Sequence, residues 1–475
     1  MIRIFFKNEG EENTMTTPPK LNKIQLAPFK QRFGKKKIFA QCLMPIRGPQ
    51  GFRKLDYDFV DQINPAEIIS KIVDNGYNAF GLVVKDTDGA TLSKTKIGWN
   101  PTNRDLVGEF SEICQKKNVI FFLSITNMND AYRGALHPET VSIHIKTRKN
   151  IKKGDPGIHH EGEMRVDLPE GTTIEEMQKK IPFLTKEVDE KIGAARNARG
   201  KGYIPLTAFH CPRSKHADYM IALIKEIASN YQVDGILADY IRYSTDYFDY
   251  CGCERCRKAY TQQYPNNNPA KLKGKDWFRF RMDNILEFGK KFNDTIKSVD
   301  DNILTGWFNL PGPKFYSNRL TGQDYYGLTK VMDSALPMLY PYLTGSIDDG
   351  RYWGTLANLV HWYSQRNMKR RFKDYGKDAT IFGITNSVEC NTEEMLKSFI
   401  AYDYGLGIAV FKYYGTTESQ WYASKLYGKI LSQQEIGDNS PTRVDIRKIL
   451  QKVYEKYPPK VPPKWWRENN DMQLA

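Results

Sequence analysis

Short apolar runs recur along the chain, each followed by a turn and an amphipathic stretch. They lie at 38–44, 79–84, 119–125, 234–239, 303–308, 334–340, 380–384 and 407–411. Near-continuous apolar runs of this length suit parallel strands covered on both faces. The stretches between them open with helix-start signals. Asn64 stands as an N-cap before Pro65 at the first helical position, and Asn391 precedes Thr392-Glu393-Glu394 in the same style. Residues 217–230 carry apolar side chains at helical spacing. Strands alternating with helices eight times predict an α/β protein, a (β/α)8 TIM barrel. The rival is a doubly wound open sheet, which often carries a glycine-rich phosphate turn after its first strand. None follows residues 38–44.

The same pattern divides the chain. Residues 1–37 are polar without a period and read as a flexible lead-in, with Met15 as an alternative start. Residues 38–432 hold the barrel. Residues 433–475 form a short C-terminal extension, helical over 444–457, then extended, with Trp465-Trp466 able to dock on the barrel or on a partner. A long insertion after the third strand spans Asn127 to Ser214 and contains a helical segment, 174–195. In such barrels function sits on loops at the carboxyl ends of the strands, so the chemistry is sought there.

Composition narrows the class. Of 475 residues, 40% are hydrophobic and 26% charged, which fits a soluble globular protein and argues against disorder. The net charge of +15 could draw polyanions. Its densest runs, Lys35-Lys36-Lys37 and Lys369-Arg370-Arg371, are short, so a solvated basic surface is favoured over nucleic-acid binding. No cleavable leader is found, and no stretch approaches the ~18 apolar residues of a membrane span. A cytoplasmic, reduced protein without membrane contact is expected. There the seven cysteines suggest metal sooner than disulfides.

The most informative segment is Val233-Asp234-Gly235-Ile236-Leu237-Ala238-Asp239-Tyr240-Ile241-Arg242-Tyr243. A buried strand ends in a carboxylate that would face the barrel mouth, and Arg242 is placed to keep it ionised. Here the chain resembles glycoside-hydrolase-like barrels whose fourth strand reads Asp-Gly-Ile-x-x-Asp-Tyr-Ile-Arg-Tyr. The resemblance runs from Ile38 to about Lys429 and is most specific between Cys211 and Tyr260. It implies that Asp239 acts as nucleophile or transition-state stabiliser. The bland reading is that Asp239 only pairs with Arg242.

Cys251-Gly252-Cys253-Glu254-Arg255-Cys256 follows. Three thiols this close suit tetrahedral metal ligation better than disulfides. Cys211, just before the helix preceding the fourth strand, is the expected fourth ligand for structural Zn2+, with His210 and His216 in reserve. The pattern is similar to the zinc loop of glycoside hydrolase family 42 β-galactosidases. That family's acid stands in an Asn-Glu pair, which no strand end here provides, so only the metal loop carries over.

Glycoside hydrolysis usually takes a second carboxylate. Glu389 after the seventh strand and Asp86 after the second are the candidates, Glu389 favoured as acid. Tyr240, Arg242, Trp307, Tyr340, Tyr342, Tyr413 and Tyr414 would offer stacking or binding surface at the mouth, while Asn309, Asn386 and Lys412 would bond hydroxyls. Ordinary packing could also account for the aromatics. His137, His159 and His160 are too loosely spaced for a catalytic metal. The expected partner is a carbohydrate substrate of a glycoside hydrolase; a homo-oligomer stays open. The alternatives are a non-catalytic carbohydrate-binding barrel and, less favoured, a zinc-stabilised nucleic-acid-binding protein.

Overall fold

A computed structural model describes residues 36–48, 57–102, 104–145, 208–244, 250–268, 271–310, 319–339, 382–386, 390–401, 407–433 and 446–459. Eight parallel strands close into a barrel in chain order. They are β1 (Ile38–Leu43), β2 (Ala79–Lys85), β3 (Ile120–Thr126), β4 (Gly235–Asp239), β5 (Leu304–Asn309), β6 (Ser334–Leu339), β7 (Phe382–Asn386) and β8 (Gly407–Phe411). β8 returns to β1 with Ile38 opposite Gly407 and Cys42 opposite Phe411. The expected barrel stands, and closure rules out the doubly wound alternative.

Side chains alternate along each strand and so divide the interior into two cores. Ile38, Ala40, Phe122, Leu237, Phe308 and Leu336 belong to the cluster inside the barrel. Their neighbours Phe39, Phe121, Leu123, Ile236 and Trp307 belong to the cluster between strands and helices. Small residues make room where strands meet closely. A Cβ on Gly306 would stand 2.3 Å from Ser334 Oγ, and one on Gly235 would stand 2.6 Å from the Phe122 ring.

The helices covering the sheet start where capping chemistry places them. α1 (Pro65–Asp74) is capped by Asn64, whose Oδ1 accepts from the Ala66 and Glu67 amides at 3.1 and 3.4 Å. α2 spans Leu106–Lys116, α3 Lys215–Asn230, α4 Glu254–Gln263, α5 Gly274–Val299, α6 Tyr325–Val331 and α7 Thr392–Ala401. α8 (Glu418–Leu431) opens on a capping box between Thr417 and Gln420. The C-terminal helix expected over 444–457 is found as α9 (Ile446–Lys456), and it buries Ile449, Leu450 and Val453. The lead-in up to residue 35, the segment 174–195 and the Trp465-Trp466 pair lie outside the described residues.

One irregularity matters for the site. The pairing of β2 with β3 shifts between Val83 and Lys85, so Val83 lies opposite Ser124 and Lys85 opposite Ile125. Ile125 is in the outer core. The extra residue turns Lys85 out of the barrel and towards the helices.

The seam between β8 and β1 tolerates no side chain at its first step. A Cβ on Gly407 would fall 1.9 Å from the Ile38 carbonyl oxygen. Gly407→Ala is expected to cost about 3 kcal/mol, the upper end of overpacking. Chemical denaturation measures it; an unchanged midpoint would mean that the seam is looser than its geometry.

Candidate active site

A hollow of about 540 Å3, solvent-facing space included, opens inside the barrel and takes in residues near the strand carboxyl ends. Cys42, Met44, Val83, Ser124, Phe411 and Asp239 line it, above a floor of apolar residues. Among the described residues, Asp239 is the one carboxylate in that lining. It sits on β4 because the alternation that sends Leu237 into the lumen also sends in the residue two further on.

Asp239 is half-buried. Burial pushes its carboxyl up to about 6, against the lowering pull of the Tyr240 amide and the Arg242 charge. The Tyr240 N–H donates to Asp239 Oδ1 at 2.7 Å. Tyr240 has a left-handed φ of 48°, a strained conformation for a residue with a large side chain. Arg242 lies with its guanidinium carbon 4.5 Å from the Tyr240 ring centre and 5.6 Å from that of Phe209. It donates to the Tyr243 carbonyl at 3.4 Å. Among the described residues no ion pair joins it to Asp239, so the close pairing expected from the sequence is corrected to an influence at longer range.

Asp86 is committed elsewhere. Arg47 grips it with two hydrogen bonds of 2.7 Å, from Nε and Nη2, and the Thr87 amide donates to it at 2.6 Å. Burial works against its ionisation, but the Arg47 charge and hydrogen bonds outweigh it and hold the carboxyl below its ordinary value. An anion held so firmly is no proton donor, which corrects its candidacy as the acid. Asp88, two residues on, goes the other way. Burial and the Asp86 charge push it up to about 7, and it accepts a hydrogen bond from the Tyr57 hydroxyl. Arg47 and Tyr57 had no mark in the sequence, because 39 residues separate Arg47 from Asp86 and 31 separate Tyr57 from Asp88.

Several expected ligand-binding residues face away from the hollow. Trp307 is fully buried and packs on Tyr325 with ring centres 5.3 Å apart. Asn309 is buried too, and it shares the outward parity of Trp307. Lys412 gives its ammonium to the Arg47 and Gly48 carbonyls at 3.4 and 3.1 Å, and burial draws its pKa down to about 8. Tyr413 packs edge-on against Trp421 and Tyr414. Tyr340, Tyr342 and Glu389 lie outside the described residues. Asn386 ends β7 opposite Phe411.

A buried polar network lies behind β4. Lys85 Nζ is 3.0 Å from Asp130, both side chains fully buried, and donates to the Thr126 carbonyl at 3.2 Å. The rings of His210 and His216 stack 3.7 Å apart. Burial draws His210 down to about 4 and His216 well below its ordinary value, so both are neutral at pH 7. His210 Nε2 bonds the Asp130 carbonyl at 2.8 Å and His216 Nε2 the Asn127 carbonyl at 2.7 Å. They are core histidines, which corrects their place as reserve metal ligands.

Cys211, Cys251, Cys253 and Cys256 come together as expected. All four are buried and their sulfurs lie within 4.8 Å of one another. Cys211 Sγ is 3.6 Å from Cys253 Sγ and 3.4 Å from Cys256 Sγ. Tetrahedral thiolates ~2.3 Å from an ion would stand about 3.8 Å apart, so the set is shaped to hold a metal. The Cys211 amide donates to the Thr140 carbonyl and the Gly252 amide to the Ile143 carbonyl, both at 2.9 Å. These bonds bring the two halves of the cluster to one strip of backbone.

The barrel with its carboxylate-bearing mouth resembles the barrels of glycoside-hydrolase-like proteins. Residues 172–336, about a third of the chain, match the model of the family described as glycosyl hydrolase-like 10. The resemblance read at 233–243 falls inside that match. Among solved structures, the chain is similar to the PgaB (BpsB) glycoside hydrolase domain from Bordetella bronchiseptica, at 11% identity and a TM-score of 0.50, covering 84% of this chain and 98% of that one. It is similar to α-L-fucosidase isoenzyme 2 from Paenibacillus thiaminolyticus, at 14% identity and a TM-score of 0.51. It is also similar to a cold-adapted β-galactosidase from Rahnella sp. R3, at 11% and 0.52. Each of these two alignments covers 84% of this chain but only about half of the other, 49% and 56%. At such identities the likeness is one of fold. No curated protein matches the sequence. Among the described residues no helix is long and apolar enough to cross a membrane.

The Arg47–Asp86 pair supplies a test of how tightly this end of the barrel is held. Arg47→Leu leaves a buried carboxylate without its partner and is expected to cost about 3–5 kcal/mol. Because Asp86 is held below its ordinary value, the wild-type contribution is full above ~4 and fades as pH falls through the folded value. Thermal melts from pH 7 to pH 3 should therefore converge for wild type and variant. Parallel curves would show that the pair carries no linked charge.

Proposed function

We propose that this chain is a glycoside hydrolase acting on the O-glycosyl bonds of an oligo- or polysaccharide, with Asp239 as nucleophile or transition-state stabiliser. The observation that carries the reading is the position of Asp239 as the one carboxylate, among the described residues, lining the hollow of a glycoside-hydrolase-like barrel. Its half-buried setting suits a group that must ionise yet meet developing positive charge in a dry site. Tyr240 and Arg242 border the sugar. Tyr340, Tyr342 and Asn386 are assigned to sugar binding as well. Glu389, which follows β7, is our choice for proton donor, since Asp86 is bound to Arg47. The four cysteines hold Zn2+ in a closed structural site, which fits reduced, cytoplasmic thiols. The catalytic unit is residues 38–432, with 433–475 as its tail. The firm commitment of Asp86 favours one second reading, a barrel that binds carbohydrate without cleaving it.

Hydrolysis across a panel of aryl glycosides and oligosaccharides separates the two. Asp239→Asn is expected to lose activity by at least about a thousandfold while keeping its fold, as removal of a group that acts in the transition state should. Wild-type kcat/KM should fall as pH drops below about 6, because the working form of Asp239 is the anion. Sugar binding without turnover by wild type would install the binding barrel instead.

Metal content offers a separate check. The purified protein is expected to carry one zinc per chain, and Cys253→Ser to lower both zinc content and Tm. Chelation should release the metal and destabilise the fold, as in other structural sites. A metal-free protein with an unchanged melt would remove zinc from the account.

A further inference from the structure

We propose that Asn127 is the positioning residue for Asp239, and that His216 holds Asn127 in place. The inference rests on the reading of Asp239 as the reacting carboxylate. Asn127 follows β3 directly, and β3 lies beside β4 with Thr126 opposite Asp239. Two donors of Asn127 converge on the Asp239 carbonyl, its backbone amide at 2.9 Å and its side-chain Nδ2 at 2.9 Å. The same Nδ2 reaches the Ile125 carbonyl at 2.7 Å. Both hydrogens of the amide group are therefore used on backbone oxygens. The opposite amide orientation is excluded, because it would press Oδ1 against two carbonyl oxygens. Among the described residues, no donor meets the buried Oδ1. The NH2 of this side chain thus ties β3 to β4.

The next residue extends the clamp. The Met128 amide donates to the Tyr240 carbonyl at 3.1 Å. Asp239 and Tyr240 are consequently held by successive residues of one neighbouring segment. Between them falls the left-handed backbone of Tyr240. The peptide unit whose carbonyl Asn127 holds also carries the Tyr240 N–H, which donates to Asp239 Oδ1, the bond that fixes the carboxylate. A strained residue persists only where its surroundings over-determine it, and here the determinants are the Asn127 and Met128 bonds.

His216 closes the arrangement from below. Its Nε2 meets the Asn127 carbonyl at 2.7 Å, so a neutral ring must carry its hydrogen there. The ring is fixed by its stack on His210, whose Nε2 bonds the Asp130 carbonyl at 2.8 Å, and Asp130 is tied to Lys85. The charged and titratable groups acting on His216 are His210, Lys85 and Arg133, with the Tyr219 ring 5.8 Å away, none of them in the lining of the hollow. Asn127 is absent from that lining as well and acts through Asp239.

The decisive measurement does not need turnover. Protein labelled with 13C at aspartate carboxyls is titrated by NMR, with the Asp239 signal identified by its loss in Asp239→Asn. Wild-type Asp239 is expected to titrate near pH 6. In Asn127→Leu, which removes the donor and the orphaned oxygen together, Asp239 should titrate higher, because the bond from Tyr240 that favours the anion loosens. His216→Phe, which keeps the ring stack and removes the donor, should move it the same way by less. On a substrate that wild type cleaves, Asn127→Leu should lower kcat on the order of tenfold to a hundredfold with little change in KM, the mark of a misplaced reacting group. Asn127→Ser serves if the leucine variant fails to fold. A folded variant with an unshifted Asp239 titration overturns the proposal. A shifted titration in a protein that cleaves no glycoside keeps the clamp and sinks the hydrolase reading instead.

Discussion

Everything at the mouth depends on the closing ladder between β8 and β1. Without it the sheet would have two edges, and neither the lumen nor its floor would exist. Closure makes the parity of each strand residue meaningful: one step faces a narrow interior, the next faces helices. The approach is tight enough that Gly407 has no space for a methyl beside Ile38. Asp239 reaches the hollow because it shares parity with Leu237. Trp307 misses it because it shares parity with Thr305, which is also fully buried.

Around that frame the protein buries polar and charged groups at one end. Arg47 with Asp86, Lys85 with Asp130, and the neutral histidine pair all lie against the carboxyl ends of β2, β3 and β4. Such groups are weak contributors to net stability, since desolvation offsets attraction. Their effect is to fix backbone. Lys85 reaches the Thr126 carbonyl, Asn127 the Asp239 carbonyl, and Lys412 the Arg47 and Gly48 carbonyls. The tetracysteine cluster brings the segment at Cys211 together with the segment at Cys251–Cys256.

The strands were legible because apolar runs bounded by turns have few other uses, and observed limits differ from expected ones by a residue or two. Cys211 was legible because thiols need partners. The parity of β5 was not. Trp307 and Asn309 stand at a strand end, and only the ladder with β4 shows which way they point. The partner of Asp86 was invisible because Arg47 comes from the connection after β1. The histidines were ambiguous for a different reason: imidazole serves metal and core alike, and only the carbonyls facing Nε2 decide. Asn127 left no trace, since an asparagine after a strand reads as an ordinary turn residue.

The irregularity in β2 has an evolutionary reading. A barrel strand fixes the phase of its loop, because each residue added must take the next face in turn. The additional residue between Val83 and Lys85 resets that phase without disturbing the pairing on either side. Lys85 leaves the lumen, where a lysine would have crowded the cavity, and becomes the anchor of the buried network behind β4. The bulge thereby places a cation on the helix side of the sheet and not in the lumen. Loops on such barrels can diversify in steps of one residue, and the strand core remains in register while they do.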